Sequence, residues 1–255
     1  GAVTHTGTVV GTVDGDSTTA AQGTLTINTT ANAATAIRFT GAVGTTGELA
    51  AIILTTDADF ESSVTADAIT PASGKIATFL GDVTVGAADL TATGTALFSG
   101  TAAQTIVGDA VGSLLDGAGL VKVTNASTGG LTLGANAILT SADLDLEVNG
   151  TGAKVVITQD AHSVDEVLLA TAGAILEIDD TVTNGETVFT TTTEQDANSV
   201  HASSVITLPS NLIAGQTVVL FKTVQTNGTN ETDLAADVNL ALKDTALSNF
   251  IATVT

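Results

Sequence analysis

In Ala142-Asp143-Leu144-Asp145-Leu146-Glu147-Val148, the side chains of Leu144, Leu146 and Val148 share one face of an extended chain, and Asp143, Asp145 and Glu147 share the other. A period of two with one apolar and one charged face predicts a strand that is buried on one side and wet on the other. Weaker versions recur on both sides of it. Thr24-Leu25-Thr26-Ile27, Asp82-Val83-Thr84-Val85, Leu120-Val121-Lys122-Val123, Leu131-Thr132-Leu133 and Lys154-Val155-Val156-Ile157 are strand-sized and bounded by Gly, Asn or Asp. Thr and Val, stiff at χ1, suit such strands. Only Pro71 and Pro209 interrupt the supply of backbone donors. The expectation is an all-β chain. Two segments carry a helical pattern. Ser163 to Glu166 reads as a capping box with Gly173 as the stop, predicting a short helix or turn. Thr232 to Lys243 is ambiguous and reads as a strand through Val238-Asn239-Leu240-Ala241-Leu242.

The strands cycle. Leu80 to Gly94 and Leu131 to Leu144 both run strand, Gly-centred turn, apolar pair, strand. Such self-similarity points to stacked repeats, each burying its apolar stripe against its neighbours. The phrase Leu97-Phe98 … Gln104-Thr105-Ile106-Val107-Gly108, followed by Leu120 to Asn125 and Gly130 to Gly134, resembles the degenerate repeats of β-helical regions in bacterial cell-surface and autotransporter-type passenger proteins. The resemblance spans about residues 76–255. It implies a parallel β-solenoid at the cell surface and carries over no catalytic residue. At about 20 residues per coil the chain would make roughly a dozen coils. A β-sandwich or jelly-roll is the alternative, since antiparallel strands alternate equally well. Residues 1–75 read as a less regular N-terminal β region whose end strand, residues 1–13, is a candidate for exchange. Residues 76–255 read as the repetitive region.

Composition narrows the function. The 255 residues carry 6 Lys and Arg against 27 Asp and Glu, a net charge of −21, which would repel nucleic-acid phosphate and anionic membranes. With no Cys, disulfide scaffolds, thiol enzymes and Cys-based zinc sites are excluded. No apolar run approaches the roughly 18 residues of a spanning helix. The mean hydropathy of +0.41 argues for a folded chain. The absence of Met and Cys, with the Thr/Ala/Gly/Val bias, reads as an exported chain whose signal has been removed.

Chemistry-bearing residues are few. Asp57, Asp59 and Glu61, and again Asp143, Asp145 and Glu147, put three carboxylates close together, a set of hard oxygen ligands suited to Ca²⁺. Equally, carboxylates on a wet face provide solubility and discourage edge pairing. His162, next to Ser163 and near Asp165, reads as part of a solvated turn rather than a nucleophile group. Gly150-Thr151-Gly152 lacks phosphate-loop spacing and reads as a turn. The seven Phe read as core. Asn28, Asn125, Asn149, Asn227 and Asn230 open Asn-x-Ser/Thr acceptors, meaningful only in a glycosylating host. A polysaccharide enzyme would want aromatic platforms, and the chain has no Trp or Tyr.

These readings lead to a non-catalytic extracellular subunit of a surface filament, sheath or layer, assembling with copies of itself head to tail. The candidate contacts are Val3, Val9, Val10 and Val13 at one end and Phe250, Ile251 and Val254 at the other. The alternative is an adhesin or passenger fragment acting as a monomeric spacer or binding module against glycans or a host surface.

Overall fold

The computed structural model describes residues 7–15, 22–28, 36–86, 89–108, 114–183, 185–193, 199–201, 203–211 and 217–224, with the short strands Asn230–Glu231, Ala241–Leu242 and Ile251–Thr253. It is all-β, with no helix among these residues. The segment expected as a helix or turn is instead two strands, His162–Val164 and Val167–Leu169, because its alternating apolar positions are claimed by adjacent strands.

Parallel pairing dominates, and the arrangement is solenoid-like. A first ladder of eight strands runs Thr8–Val9, Ile37–Phe39, Ala58–Phe60, Ile76–Phe79, Thr95–Phe98, Leu120–Val123, Asp145–Val148 and Val167–Leu169. A second runs from Thr24–Ile27 through Leu49–Leu54, Val64–Pro71, Val83–Val85, Gln104–Gly108, Leu131–Leu133, Lys154–Ile157 and Ile175–Ile178 to Val205–Thr207 and Ala241–Leu242. A third branches off at Ile69 of the long Val64–Pro71 strand into Leu90–Thr91, Leu114–Asp116 and Ile138–Leu139. Through the bridge Thr140–Ser163 it continues to His162–Val164, Thr187–Thr191 and Thr217–Val224. The chain visits the ladders in turn, so each circuit lies beside the next. Among the described residues the only antiparallel pairs put Asn230–Glu231 and Ile251–Thr253 along Thr217–Val224. A sandwich would pair its strands antiparallel throughout.

In-register pairing places like beside like. Val9, Phe39, Phe60, Phe79, Phe98, Val123, Val148 and Leu169 form one inward column, with Val200 joined to Leu169 by a bridge. From Phe39 the steps are 21, 19, 19, 25, 25 and 21 residues. The column crosses residue 75 without a break, so the less regular sequence before Ile76 builds the same architecture. Two residues earlier in each strand stand Ala58, Ala77 and Ala96, then Val121, Leu146 and Val167. Ala accompanies Phe60, Phe79 and Phe98, a branched aliphatic accompanies Val or Leu, and only the Phe39 rung, with Ile37, departs from this. From Phe60 onward each rung thereby keeps a similar interior volume, as close packing requires.

The second ladder holds the column Val13, Val43, Val64, Val83, Ile106, Leu133, Ile157 and Ile178. The third holds Leu25, Ile52, Ile69, Leu90, Leu115 and Leu139. Nearly all are buried, and they form one continuous core. Tight corners need glycine where strands turn against the next coil. Gly44 has φ +74°, and a Cβ there would lie 1.9 Å from the Thr65 carbonyl oxygen.

Candidate functional site

The three columns end together at the first coil. Among the described residues, Thr8–Val9 pairs only with Ile37–Phe39, and Thr24–Ile27 pairs only with Leu49–Leu54. Between these edges lies a cavity of about 290 Å³ lined by Val9, Val13, Leu25, Ile27, Ile37 and Phe39, with Thr12, Asp14, Thr26 and Asn28 at the polar side. Val10 beside it is 84% exposed. An edge of unpaired backbone around an apolar end accepts another strand or coil chemically without further ligand. The expected contact residues Val9, Val10 and Val13 sit at this rim, whereas Val3 lies outside the described residues.

The other end differs. Ile251–Thr253 pairs antiparallel with Thr217–Val219, and Asn230–Glu231 with Thr223–Val224, so the outer edge of the third ladder is occupied by the chain's own backbone. Ile251, expected as a contact with a further copy, thus lies in a strand paired within the chain. Phe250 and Val254 lie outside the described residues.

The carboxylate groups separate. Arg38 pairs with Glu61 across neighbouring rungs. Asp57 Oδ1 accepts the Ile76 N–H at 2.9 Å. Asp59 stands in register between Arg38 and Thr78. In the second group, Glu147 Oε1 accepts from Lys122 Nζ at 2.9 Å and from Asn149 Nδ2 at 2.5 Å. The Asp143 N–H donates to Ser141 Oγ at 3.3 Å. Asp145 is pushed up to about 6 by burial, then by the charges of Asp165 and Glu166. Among the described residues no three Asp, Glu or His side chains converge in a geometry that would hold a metal ion. A third cross-coil pair, Lys154 Nζ to Glu177 Oε2 at 3.2 Å, joins the second ladder.

His162 is not in a solvated turn. It is fully buried in the third ladder, in register with Phe189, its ring 5.2 Å from that ring centroid to centroid. The signal was present as His162-Ser163-Val164 repeating the inward–outward order of Phe189-Thr190-Thr191, with Phe221 next in the column. His201, exposed, accepts the Ser203 N–H at 3.1 Å. Gly150 and Gly152 form a turn at φ +133° and +78°.

Sequence reasoning missed the buried amides. Where the step lengthens from 19 to 25 residues, Gln104 and Asn125 fill the corner between first and second ladders. Gln104 Nε2 donates to the carbonyls of Phe79 (2.9 Å) and Gly81 (3.0 Å), and its Oε1 accepts from Gly100 N–H at 2.8 Å. Asn125 Nδ2 donates to Gln104 Oε1 (2.9 Å) and the Ala102 carbonyl (2.7 Å), while its Oδ1 accepts from Ser127 N–H at 2.9 Å. Together they bond three successive coils. This burial also takes the Asn125 acceptor motif out of reach of a glycosylating enzyme.

The fold defines an all-β, solenoid-like protein of stacked parallel coils whose first rungs, Thr8–Val9 and Thr24–Ile27, are paired on one side only among the described residues. Comparison of the chain with protein-family models, curated proteins and solved structures gives no match.

Proposed function

We propose that the chain is a non-catalytic extracellular structural protein, a parallel β-solenoid that forms part of a cell-surface filament, sheath or layer. The observation that carries this reading is the in-register stacking of like residues from Val9 to Leu169, an architecture that grows by adding coils. The rim at Val9, Val13, Leu25 and Phe39 is the side on which a further copy would stack, head to tail, extending the Phe column and the edges of Thr8–Val9 and Thr24–Ile27. A heterologous contact of this kind does not close and yields a filament.

The antiparallel return of Ile251–Thr253 favours a second reading. It blunts one edge, as a monomeric surface spacer would. Sedimentation and light scattering over a concentration series, at low and high salt to screen the −21 charge, separate the two. Growth with concentration, more marked in salt, and filaments by negative-stain microscopy support stacking. An elongated monomer at every concentration rejects it and leaves the spacer.

A further inference from the structure

We propose that His162 makes the junction between its coil and the preceding one acid-labile, so that the third ladder opens there before the rest of the chain unfolds. The junction is thin. At this level the first ladder pairs Leu120–Val123 with Asp145–Val148 over four residues, and the second pairs Leu131–Leu133 with Val155–Ile157 over three. The third ladder crosses from Ile138–Leu139 to His162–Val164 by the single bridge Thr140–Ser163. The imidazole supplies part of what is missing, since the Leu139 N–H donates to His162 Nδ1 at 3.1 Å.

That bond fixes the neutral tautomer. With Nδ1 accepting, the ring proton sits on Nε2, which is buried and has no hydrogen-bond partner of normal geometry. A second proton can only go to Nδ1, where it would face the Leu139 N–H, and the bond would become a donor–donor clash. Among the described residues no carboxylate pairs with the ring, and only the Gln159 backbone favours its charged form. The inward side chains in line with it are Leu139 on one side, Phe189 and then Phe221 on the other. On its own strand the flanking carboxylates are Asp160 and Asp165, and Glu186 precedes Thr187–Thr191. Asp160 and Glu186 line a surface depression of about 540 Å³ that His162 also borders, yet among the described residues neither forms an ion pair with it. The strand Ile138–Leu139 carries no titratable residue.

Burial pushes the imidazole down to about 4, with the Gln159 backbone opposing the shift only in part. In the unfolded chain it titrates at 6.5, so between these values the folded state binds fewer protons. Stability contributed by the neutral ring is full above about 6.5 and is lost as pH falls towards 4. Opening the seam lets the ring reach water and take its proton.

Hydrogen exchange of the full chain, read by mass spectrometry at about pH 7 and about pH 4.5 and corrected for intrinsic rates, tests this. In acid, peptides covering 138–140, 162–164 and 187–191 should lose protection while those covering 58–60 and 76–79 keep it. His162→Phe, which continues the stack onto Phe189, and His162→Leu should remove the acid effect. Uniform loss, no loss, or an unchanged acid response in a folded variant would overturn the proposal. If neither variant folds, the wild-type exchange pattern decides alone.

Discussion

Phe79 stacks on Phe60 with ring centroids 5.4 Å apart and planes inclined by only 11°. The same relation joins Phe39 to Phe60 at 5.1 Å and Phe79 to Phe98 at 5.2 Å, so four rings form one pile along the first ladder. The spacing is close to the roughly 4.8 Å between paired strands, which is why parallel in-register pairing produces stacked rings. Each stacked pair adds about 0.5–1.5 kcal/mol beyond burial.

Removing a middle ring should therefore be costly. Phe79→Ala leaves a hole beside Ala58, Ala77 and Ala96, none of which can fill it. A loss of about 3–5 kcal/mol in urea denaturation is expected. Phe79→Val alone should cost less. Adding Ala77→Val, which copies the Val121/Val123 rung, should recover part of that loss.

Asn125→Ala should cost about 2–3 kcal/mol, because it strands the Ser127 N–H, the Ala102 carbonyl and one acceptor site of Gln104. A double-mutant cycle with Gln104→Ala should show coupling of about 1 kcal/mol or more, since the two amides share a bond. Independent, additive effects would show that the corner does not act as one clamp.

How much of this was legible varied by residue. Leu144, Leu146 and Val148 announce their inward face, and all three are fully buried. All six Phe among the described residues are buried, as their spread along the chain suggested. His162 was misread because Asp160, Ser163 and Asp165 make its neighbourhood look polar, while its true neighbours, Leu139 and Phe189, are 23 and 27 residues away. The carboxylate triplets likewise looked convergent in one dimension. In the fold their members turn to different coils, Glu61 to Arg38 and Glu147 to Lys122.

Asp145 gives a pH signature opposite in sign to that of a buried imidazole. Its folded value is raised from 3.8 to about 6, so the folded state binds more protons than the unfolded one between those values. Burial of the charged carboxylate, together with the repulsion of Asp165 and Glu166, weighs on the fold above about 6 and is relieved as pH falls. Asp145→Asn should stabilise at pH 7 by about 1 kcal/mol or less, since the group is half exposed and screened, and should do nothing near pH 4. Urea titrations at the two pH values check this.

Deleting residues 1–13 removes Thr8–Val9 and Val13 from the rim. The truncated chain should keep its β-rich circular dichroism and lose any growth with concentration. Filaments from the truncated chain in the electron microscope would show that the rim strand is not the stacking surface.

The amino-acid order alone determined that the chain is β, which side chains point inward on most strands, and that its surface is strongly acidic. These follow from a period of two and from composition, both local quantities. Which strand lies beside which was settled only in three dimensions. Neighbours on a ladder are separated by whole circuits, 19 residues from Phe60 to Phe79 but 32 from Phe189 to Phe221, and a circuit's length depends on how its corners are built. A one-residue change of register would invert every face. The Phe pile, the Gln104–Asn125 clamp and the buried His162 all arise from that non-local register.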